Sequence, residues 1–600
     1  MSKRLVALFG AGVIVLAACG AQTTPSAGTP AATTQPSTLP TTAPTGEPPP
    51  ALDGTKYKAD PVGNKGGTLV MAEWQTITTL NAFYAQANTD IEASVPAFLG
   101  LVDTAYDLKY VPEASTNVPL VTNGGVTVNG DKMDVEYNLV QMNWSDGNPI
   151  TCADLEATRA WIMDKDNTGL AGGTVGVEDI ASIEDKGSGK CVVHFDKLYA
   201  GYIGLPGLLP AKYLKSVPVA DSSKKLWPLS DVASGVYSGP YIPSEYVADA
   251  QLTYKPNPEY WKSPLGKNAG NKSPFDEVIF KYYPDNPDGM IAGFDQGEYD
   301  IAMNLNHSDL PKLQGKNKVL TEDTFTYEQL SINNKSLKDK FGEADVLPIK
   351  QAIALATDKK EITTKALGGT VEPMGTNNIS PFAWYFKQEP DSVYDPDKAA
   401  KLLTDAGWAK GPDGFLQKNG KTLELQYCTS TRPYRIDSLN LEAAQMAKIG
   451  VKVDPTPVPS QPNLFGEWDA VADDTPCNLI HGNYDVAQFA FVAPLDPTGS
   501  YNVYHSKGIP DAPPHNGQNN TRTSIPELDK AWDAVISNID PVKIRDAMFV
   551  VQDVYSQNVI EVPLFYWKNA YLVNPKLHNV TGNPTTAQVN WNIEDWWREP

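Results

Sequence analysis

The chain has 600 residues and a formal net charge of -22, from 71 acidic and 49 basic residues. Such an acidic chain lacks the clustered basic residues that neutralise phosphates, which argues against nucleic-acid binding. With 41% hydrophobic and 10% aromatic residues, it can bury packed cores, and its length corresponds to roughly two to four domain-sized units.

The first 18 residues have the pattern of a lipoprotein signal peptide. Lys3 and Arg4 precede an uncharged apolar run over residues 5–18, which is too short to span a bilayer. Small residues lead up to Cys19, which predicts cleavage before a lipid-modified cysteine. An ordinary secretory signal with an incidental Cys19 is the alternative. We therefore expect the protein outside the cytoplasm, held by lipid at the outer face of the cell membrane.

Residues 19–60 follow the signal and are rich in Thr, Pro and Ala, with few groups to bury. This composition predicts a disordered tether between the lipid and the folded body. No second apolar run long enough to cross a membrane follows it in the sequence.

Strand patterns dominate the first half of the folded body. A capping box of Thr151 and Asp154 predicts a helix that continues through Met163. The other predicted elements are strands at 68–73, 277–283 and 325–332, a hairpin at 126–140 with Asn129-Gly130 at its turn, and a hairpin at 180–195.

The second half of the chain alternates helices with strands, which predicts a mixed α/β lobe. The predicted helices cover residues 348–367, 396–406 and 437–449, and two later helices open at Ser524 and at Asp540-Pro541. The predicted strands cover residues 423–427, 451–453 and 484–491, followed by an extended apolar stretch at 562–572.

Four cysteines follow Cys19, an even number in an exported chain, and none forms a C-x-x-C pair. Three pairings are possible. We predict Cys152 with Cys191 and Cys428 with Cys477, because these pairings keep each bridge local and within one lobe.

Several motifs, in their order along the chain, resemble family 5 of the bacterial extracellular solute-binding proteins, which bind oligopeptides, dipeptides or nickel for ABC importers. The resemblance runs from about Gly66 to Arg598. Its motifs are N-W-S-D-G-N-P-I-T at Asn143, S-G-P-Y at Ser238, N-P-E-Y-W at Asn257, G-E-Y-D-I-A at Gly297, I-K-Q-A-I-A-L-A-T-D at Ile349 and Y-D-P-D-K-A-A-K-L-L at Tyr394.

The resemblance implies an α/β, two-lobed fold like that of periplasmic binding proteins, of the class II type in its large family 5 form, with mixed sheets. Lobe I would comprise residues 61–328 plus 565–600, and lobe II residues 329–564. The chain would cross between them near 327–331 and 562–567, and the lobes would close over ligand as a hinge. The implied partners are a solute and an ABC permease and ATPase complex. We expect a monomer without cofactor or metal.

The resemblance also implies ligand contacts. Arg432 stands where dipeptide binders hold a substrate carboxylate, with Arg435 as a second candidate, since a guanidinium matches a carboxylate bidentately. A surface arginine in a proline turn is the alternative for Arg432. The remaining candidates align with cleft positions or offer aromatic walls: Gln86, Asn88, Gln488, Phe491, Trp384 and Trp468.

The family's pattern is broken before the Asp496-Pro497 pair. Peptide binders keep an acidic residue there for the substrate's α-amine, whereas this chain has Ala493 and Pro494. Asp496 either substitutes for that acid or is a turn residue. A peptide therefore remains the leading ligand, with an oligosaccharide, an opine-like acid or a chelated metal as alternatives.

The sequence predicts no enzyme, because it contains neither a G-x-S-x-G nor an H-E-x-x-H motif. A secreted glycoside hydrolase is the remote alternative, since paired carboxylates occur readily in so acidic a chain. A binding protein that signals or adheres without transport is a further class.

Overall fold

The computed structural model describes residues 52–388, 390, 392–585 and 587–600. The predicted signal peptide, the lipid site at Cys19 and the tether as far as residue 51 lie outside the described residues. Within the described ranges, no helix combines the length and apolar composition that a membrane span requires.

The strands are numbered in chain order. They are β1 Thr68–Glu73, β2 Val102–Thr104, β3 Tyr110–Pro112, β4 Val126–Asn129, β5 Lys132–Asn138, β6 Ile180–Asp185, β7 Lys190–Phe195, β8 Tyr241–Val247, β9 Gln251–Pro256, β10 Glu277–Tyr282, β11 Ile301–Asn306, β12 Val319–Ile332, β13 Ala409–Lys410, β14 Leu416–Lys418, β15 Lys421–Thr422, β16 Glu424–Ser430, β17 Lys452–Val458, β18 Val486–Val492, β19 Glu561–Val573, β20 Leu577–His578 and β21 Trp597–Arg598.

The α-helices are numbered in the same way. They are α1 Asn88–Ser94, α2 Cys152–Ile162, α3 Ala211–Leu214, α4 Ser222–Lys225, α5 Pro258–Lys262, α6 Pro287–Asp295, α7 Asn334–Phe341, α8 Glu343–Ala356, α9 Lys359–Lys365, α10 Pro396–Asp405, α11 Pro433–Lys448, α12 Tyr501–Tyr504, α13 Pro526–Ile536 and α14 Pro541–Gln557.

A ten-stranded mixed sheet forms the backbone of the molecule, in the order β17-β16-β18-β12-β19-β11-β1-β10-β9-β8. Its two long central strands, β12 and β19, pair antiparallel along their length, and their register shifts between Asp323 and Tyr327. On one side β1 runs parallel to β10 and β11, and on the other β16 runs parallel to β17 and β18. The predicted mixed α/β architecture is confirmed.

The central strands join two hydrophobic cores. The first core is built from residues 69–303 together with residues 571–596, and the second from residues 330–567. The two ends of β19 belong to different cores, since Tyr571 packs in the first and Phe565 in the second. A strand buried on both faces needs a continuous apolar run, which explains the composition of β19.

Most predicted elements are present, with shifted ends. The β4–β5 hairpin closes with Asn129 opposite Lys132, so its turn is centred on Gly130-Asp131, one residue later than predicted. The helix predicted at 348–367 is two helices, α8 and α9, because Asp358 caps a new helix by accepting the Glu361 N–H. Helix α11 begins at Pro433, four residues before the predicted start, where proline suits the first helical turn.

Both predicted disulfides are present. Cys152 is bonded to Cys191, and Cys428 is bonded to Cys477. The first bridge links the start of α2 to β7, and the second links β16 to the loop before β18. Each bridge therefore closes a local loop, of 39 and 49 residues in sequence separation, as the sequence predicted.

Candidate functional site

A cavity of about 320 Å³ lies where β12 and β19 pass between the two cores, and we call it the cleft cavity. Thr326 of β12 and Trp567 of β19 form part of its floor. Residues before and after the central strands both contribute to its wall, among them Trp74, Gln75, Gln86, Asn88, Asn304, Arg435, Phe465, Phe491, Gln518, Asn569 and Gln588.

Arg432 lies directly behind one wall of the cleft cavity. Its guanidinium carbon is 4.4 Å from the ring centre of Trp74, which follows β1 and lines the cavity. Arg432 Nη2 also lies 3.3 Å from Asp309 Oδ2, and the side chain is fully buried. A desolvated guanidinium over an indole ring contributes about 2 kcal/mol. Asp309 and the Trp74 ring thus meet part of its charge, whereas Nε and Nη1 have no hydrogen-bond partner among the described residues.

Arg435 lines the cavity and is paired inside the protein as well. Its Nε and Nη2 donate to the two carboxylate oxygens of Glu328 at 2.8 and 3.1 Å. Trp567 Nε1 and the Tyr434 hydroxyl also donate to Glu328. This arrangement satisfies a carboxylate that is fully buried on β12. Arg435 therefore holds the crossing strand in place rather than standing as an open receptor for a ligand carboxylate.

His307 fills the space between the two arginines and the aromatic floor. Its ring centre lies 5.0 Å from that of Phe565 and 5.6 Å from that of Trp567. Burial, and after it the charges of Arg432 and Arg435, lowers the pKa of His307 well below its usual value. The ring is therefore neutral at physiological pH and adds no charge to the floor.

Two buried glutamates stand behind the cavity wall. Asn304 Nδ2 donates to Glu73 at 2.7 Å and to both oxygens of Glu92 at 2.7 and 2.9 Å. Burial, and after it the neighbouring Glu92 carboxylate, raises the pKa of Glu73 well above its usual value. Burial likewise raises the pKa of Glu92 to about 7. Two buried carboxylates that share one amide partner cannot both be ionised, so the Glu73–Glu92 pair retains a proton near neutral pH.

Uncharged amides supply most of the remaining polar surface of the cavity. Gln518 Nε2 donates to Gln86 Oε1 at 2.9 Å, and Gln588 Nε2 donates to Asn88 Oδ1 at 3.0 Å. The first of these bonds connects chain segments more than 400 residues apart. An amide both donates and accepts, so these side chains can exchange partners with an uncharged polar ligand.

The predicted site residues divide into two groups. Arg435, Phe491, Gln86 and Asn88 line the cleft cavity. Gln488 is buried on β18 outside the lining, since it lies three residues from Phe491 and successive strand residues face opposite sides. Trp468 stacks on His515, with ring centres 3.9 Å apart, and does not line the cavity.

Asp496 and Trp384 line a different cavity. Asp496 accepts from the Thr498 N–H at 2.9 Å and caps the turn that begins at Pro497. The hydrogen bonds to Thr498 correspond to the predicted turn role, and Asp496 does not line the cleft cavity.

Sequence reasoning missed several lining residues. Trp74 stands at the carboxyl end of a buried parallel strand, a position where ligands commonly bind, and this signal could have identified it. Trp567 ends the crossing segment that the resemblance implied, which is the signal that could have identified it. Asn304, Gln518 and Gln588 carry no local signal.

The chain was compared with known proteins. Residues 116–510 match the model for "Bacterial extracellular solute-binding proteins, family 5 Middle". A Brucella ovis protein, provisionally named as an ABC transporter peptide-binding protein, is 24% identical over 481 residues, covering 77% of this chain and 81% of that protein.

Solved structures share the fold. The oligopeptide-binding protein AppA from Bacillus subtilis, in complex with a nonapeptide, superposes with a TM-score of 0.75 at 22% identity, covering 90% of this chain and 100% of that one. NikZ from Campylobacter jejuni, in complex with Ni(L-His), gives a TM-score of 0.71 at 21% identity, covering 88% and 99%. These likenesses confirm the predicted two-lobed fold of the periplasmic-binding-protein type.

The family description concerns solute capture outside the cell, in agreement with the predicted extracytoplasmic location and the predicted solute and ABC transporter partners. The matched segment covers more than half of the sequence and contains all six motifs on which the resemblance was based. The chain belongs to family 5 of the bacterial extracellular solute-binding proteins.

Proposed function

We propose that this protein captures a peptide outside the cytoplasm and delivers it to an ABC importer, without chemical conversion of the ligand. The observation that carries the proposal is the cleft cavity, which both core regions line with amides and aromatic rings. Arg435 in its lining is paired with Glu328, and Arg432 behind the wall contacts Asp309. The other polar groups of the described lining are mainly uncharged amides, and recognition relies on them.

A peptide backbone matches such a wall. Every peptide unit carries one N–H donor and one C=O acceptor, and the Gln and Asn amides can serve both. Trp74, Phe491 and Trp567 add apolar surface for side chains of variable shape. The provisional name of the Brucella ovis relative and the nonapeptide complex of AppA support the same ligand class.

We further propose that the two lobes, residues 61–328 plus 565–600 and residues 329–564, close over the ligand. The register shift on β12 lies at Asp323 to Tyr327, where the strand passes between the cores. Arg432 contacts Asp309, and Thr431 Oγ1 donates to Asp285 Oδ2 at 2.7 Å, so contacts form across the lobes. These contacts support a closed state in which the residues just before α11 bond to the first lobe.

The ligand class can be tested by native mass spectrometry of the full chain purified from its host. We expect an added mass that dissociates on collisional activation and fragments as a peptide. Trp74→Leu is the matched variant and should carry less of the added mass while still unfolding cooperatively, at a temperature lowered by loss of the contact with Arg432. Recovery of a sugar, an opine-like acid or a metal chelate in place of peptide would refute the peptide assignment.

We also propose that lipid on Cys19 holds the protein at the membrane and that the segment from Cys19 to residue 51 serves as its tether. Residues 52–60, which the predicted tether included, are bonded to the folded body, since Thr55 Oγ1 donates to Asp107 and the Tyr57 hydroxyl donates to Asp595. Cys19→Ser should move the protein from the detergent phase to the aqueous phase in a Triton X-114 partition. A parent chain that partitions into the aqueous phase would refute the anchor and leave the peptide assignment intact.

A further inference from the structure

A second cavity, of about 530 Å³, lies apart from the cleft cavity and shares none of its lining residues. Its apolar wall includes Leu52, Leu120, Ile203 and Ile544. Ligand cavities in proteins commonly measure roughly 300 to 1,000 Å³, with a mostly apolar wall and a few placed polar groups. This cavity therefore has the size and wall of a small-molecule site.

The charged residues of the second cavity are all acidic. Asp53, Asp496 and Asp540 line it, and its described lining includes no lysine, arginine or histidine. Asp540 caps α14 and Asp53 is exposed, whereas Asp496 is half-buried between the apolar Leu495 and Pro497. The cavity wall thus carries an excess of negative charge that none of its own residues balances.

One oxygen of Asp496 is available to a ligand. Oδ1 accepts from the Thr498 N–H at 2.9 Å and from the Thr498 hydroxyl at 2.8 Å. Among the described residues, no hydrogen bond reaches Oδ2. Burial raises the pKa of Asp496, and the two Thr498 hydrogen bonds only partly oppose that rise. A cation placed in the cavity would stabilise the ionised carboxylate.

Aromatic residues line the same cavity as this carboxylate. Tyr110, Tyr202 and Trp384 line the cavity, and Tyr385 packs edge-on against Trp384 with ring centres 5.3 Å apart. Burial, and after it the charge of Asp496, raises the pKa of the Tyr110, Tyr202 and Tyr385 phenols, so all three rings lie within electrostatic reach of the carboxylate. The faces of such rings attract cations.

We propose that the second cavity binds an organic cation, an alkylated ammonium group that carries an apolar substituent. The ammonium group would lie between the aromatic rings and Asp496 Oδ2. The substituent would extend along the apolar wall formed by Ile203 and Ile544. An anion would be repelled by three carboxylates, and a neutral ligand would further desolvate Asp496 without compensating its charge.

The cavity also spans the proposed lobe boundary. Tyr110 and Tyr202 precede the central strands, whereas Trp384 and Asp496 follow β12. The backbone N–H of Tyr110 donates to the carbonyl of Leu52 at 2.7 Å. This bond holds Leu52, the first described residue, against the cavity wall. A bound ammonium ion would thus contact residues on both sides of the boundary.

Two ligands of nearly equal size and shape, one cationic and one neutral, test whether binding depends on charge. Choline carries a trimethylammonium group, and 3,3-dimethylbutan-1-ol carries the neutral tert-butyl equivalent. In isothermal titration of the full chain, we expect choline to bind at one site and the neutral alcohol at least tenfold more weakly. Hexyltrimethylammonium should bind more tightly than tetramethylammonium. Equal affinity for choline and its neutral equivalent would overturn the proposal.

Variants locate the site. Asp496→Asn keeps an oxygen for the two Thr498 bonds and removes the charge, so choline affinity should fall at least tenfold. Trp384→Leu, at a partly exposed position, should also weaken binding, whereas Tyr202→Phe keeps the ring and should retain it. Thermal unfolding identifies any variant that fails to fold. Full choline binding by folded Asp496→Asn and Trp384→Leu, or its loss in Trp74→Leu, would overturn the assignment.

Discussion

The cleft cavity and the second cavity differ in how they balance charge. In the cleft, Arg435 is paired with Glu328 and Arg432 contacts Asp309, so both cations already have an acidic partner inside the protein, although Nε and Nη1 of Arg432 have no hydrogen-bond partner among the described residues. In the second cavity, Asp496 lacks a basic neighbour in the lining. The difference teaches that a buried charge indicates ligand chemistry only when the protein itself does not neutralise it.

The largest expected effect tests the pairing in the cleft. Arg435→Ala leaves Glu328 buried without its cation, which costs about 3 to 5 kcal/mol of unfolding free energy. Chemical denaturation followed by tryptophan fluorescence measures the loss. Lys132→Ala, which removes an exposed ion pair with Asp196, is the control and should leave the midpoint unchanged. If Arg435→Ala is as stable as the control, the Arg435–Glu328 ion pair is not what neutralises the buried charge beside the cleft.

A second prediction concerns the protonated glutamates behind the cleft wall. Burial raises the pKa of Glu92 to about 7 in the folded protein from 4.5 when exposed. As the pH rises from about 4.5 to about 7, Glu92 loses its proton in the unfolded chain but keeps it in the folded protein. The folded protein therefore becomes less stable relative to the unfolded chain over this pH range. Removal of the ionisable group in Glu92→Gln should make the variant more stable than the parent at pH 8 by about 1 to 3 kcal/mol.

The measurement for this second prediction is the unfolding free energy of parent and variant at several pH values between 4 and 8. Their difference should grow with pH and level off above about 7. Glu424→Gln, at an exposed position, is the control and should follow the parent at every pH. Parallel curves for the parent and Glu92→Gln would contradict the assigned burial effect.

A third prediction separates the two cavities by ligand. Trp74→Leu removes the ring over Arg432 and should weaken peptide affinity about tenfold, or about 1.4 kcal/mol. Titration with the peptide identified from the native protein measures the change. Trp384→Leu is its counterpart in the second cavity and should leave peptide affinity unchanged. Equal effects of both variants on peptide binding would show that the cavities are not independent.

The smallest expected effect concerns the amide contact across the cleft. Loss of the hydrogen bond between Gln518 and Gln86 should cost about 1 kcal/mol of peptide binding. A double-mutant cycle with Gln518→Ala and Gln86→Ala isolates this bond from other effects of each substitution. Strictly additive single effects would show that the two amides act separately on the ligand.

Local patterns predicted much of the fold. Thr151 and Asp154 form the predicted capping box of α2, and β1 has the predicted ends. Capping and turn chemistry depend on residues a few positions apart, so the sequence contains the whole cause. Helix α8 begins at Glu343, five residues before the predicted start, and the acidic Glu343 and Asp345 in its first turn are a local signal that the prediction overlooked.

The sequence by itself determined the family, the mixed α/β elements, both disulfide pairings and four of the side chains that line the cleft cavity. Only the tertiary structure determined which acidic residue lies beside each buried arginine. Arg432 and Arg435 stand three residues apart in one motif, yet their partners, Asp309 and Glu328, lie more than 100 residues away. Electrostatic balance depends on distance in space, which local sequence does not contain, and the same reason left the setting of Asp496 unpredicted.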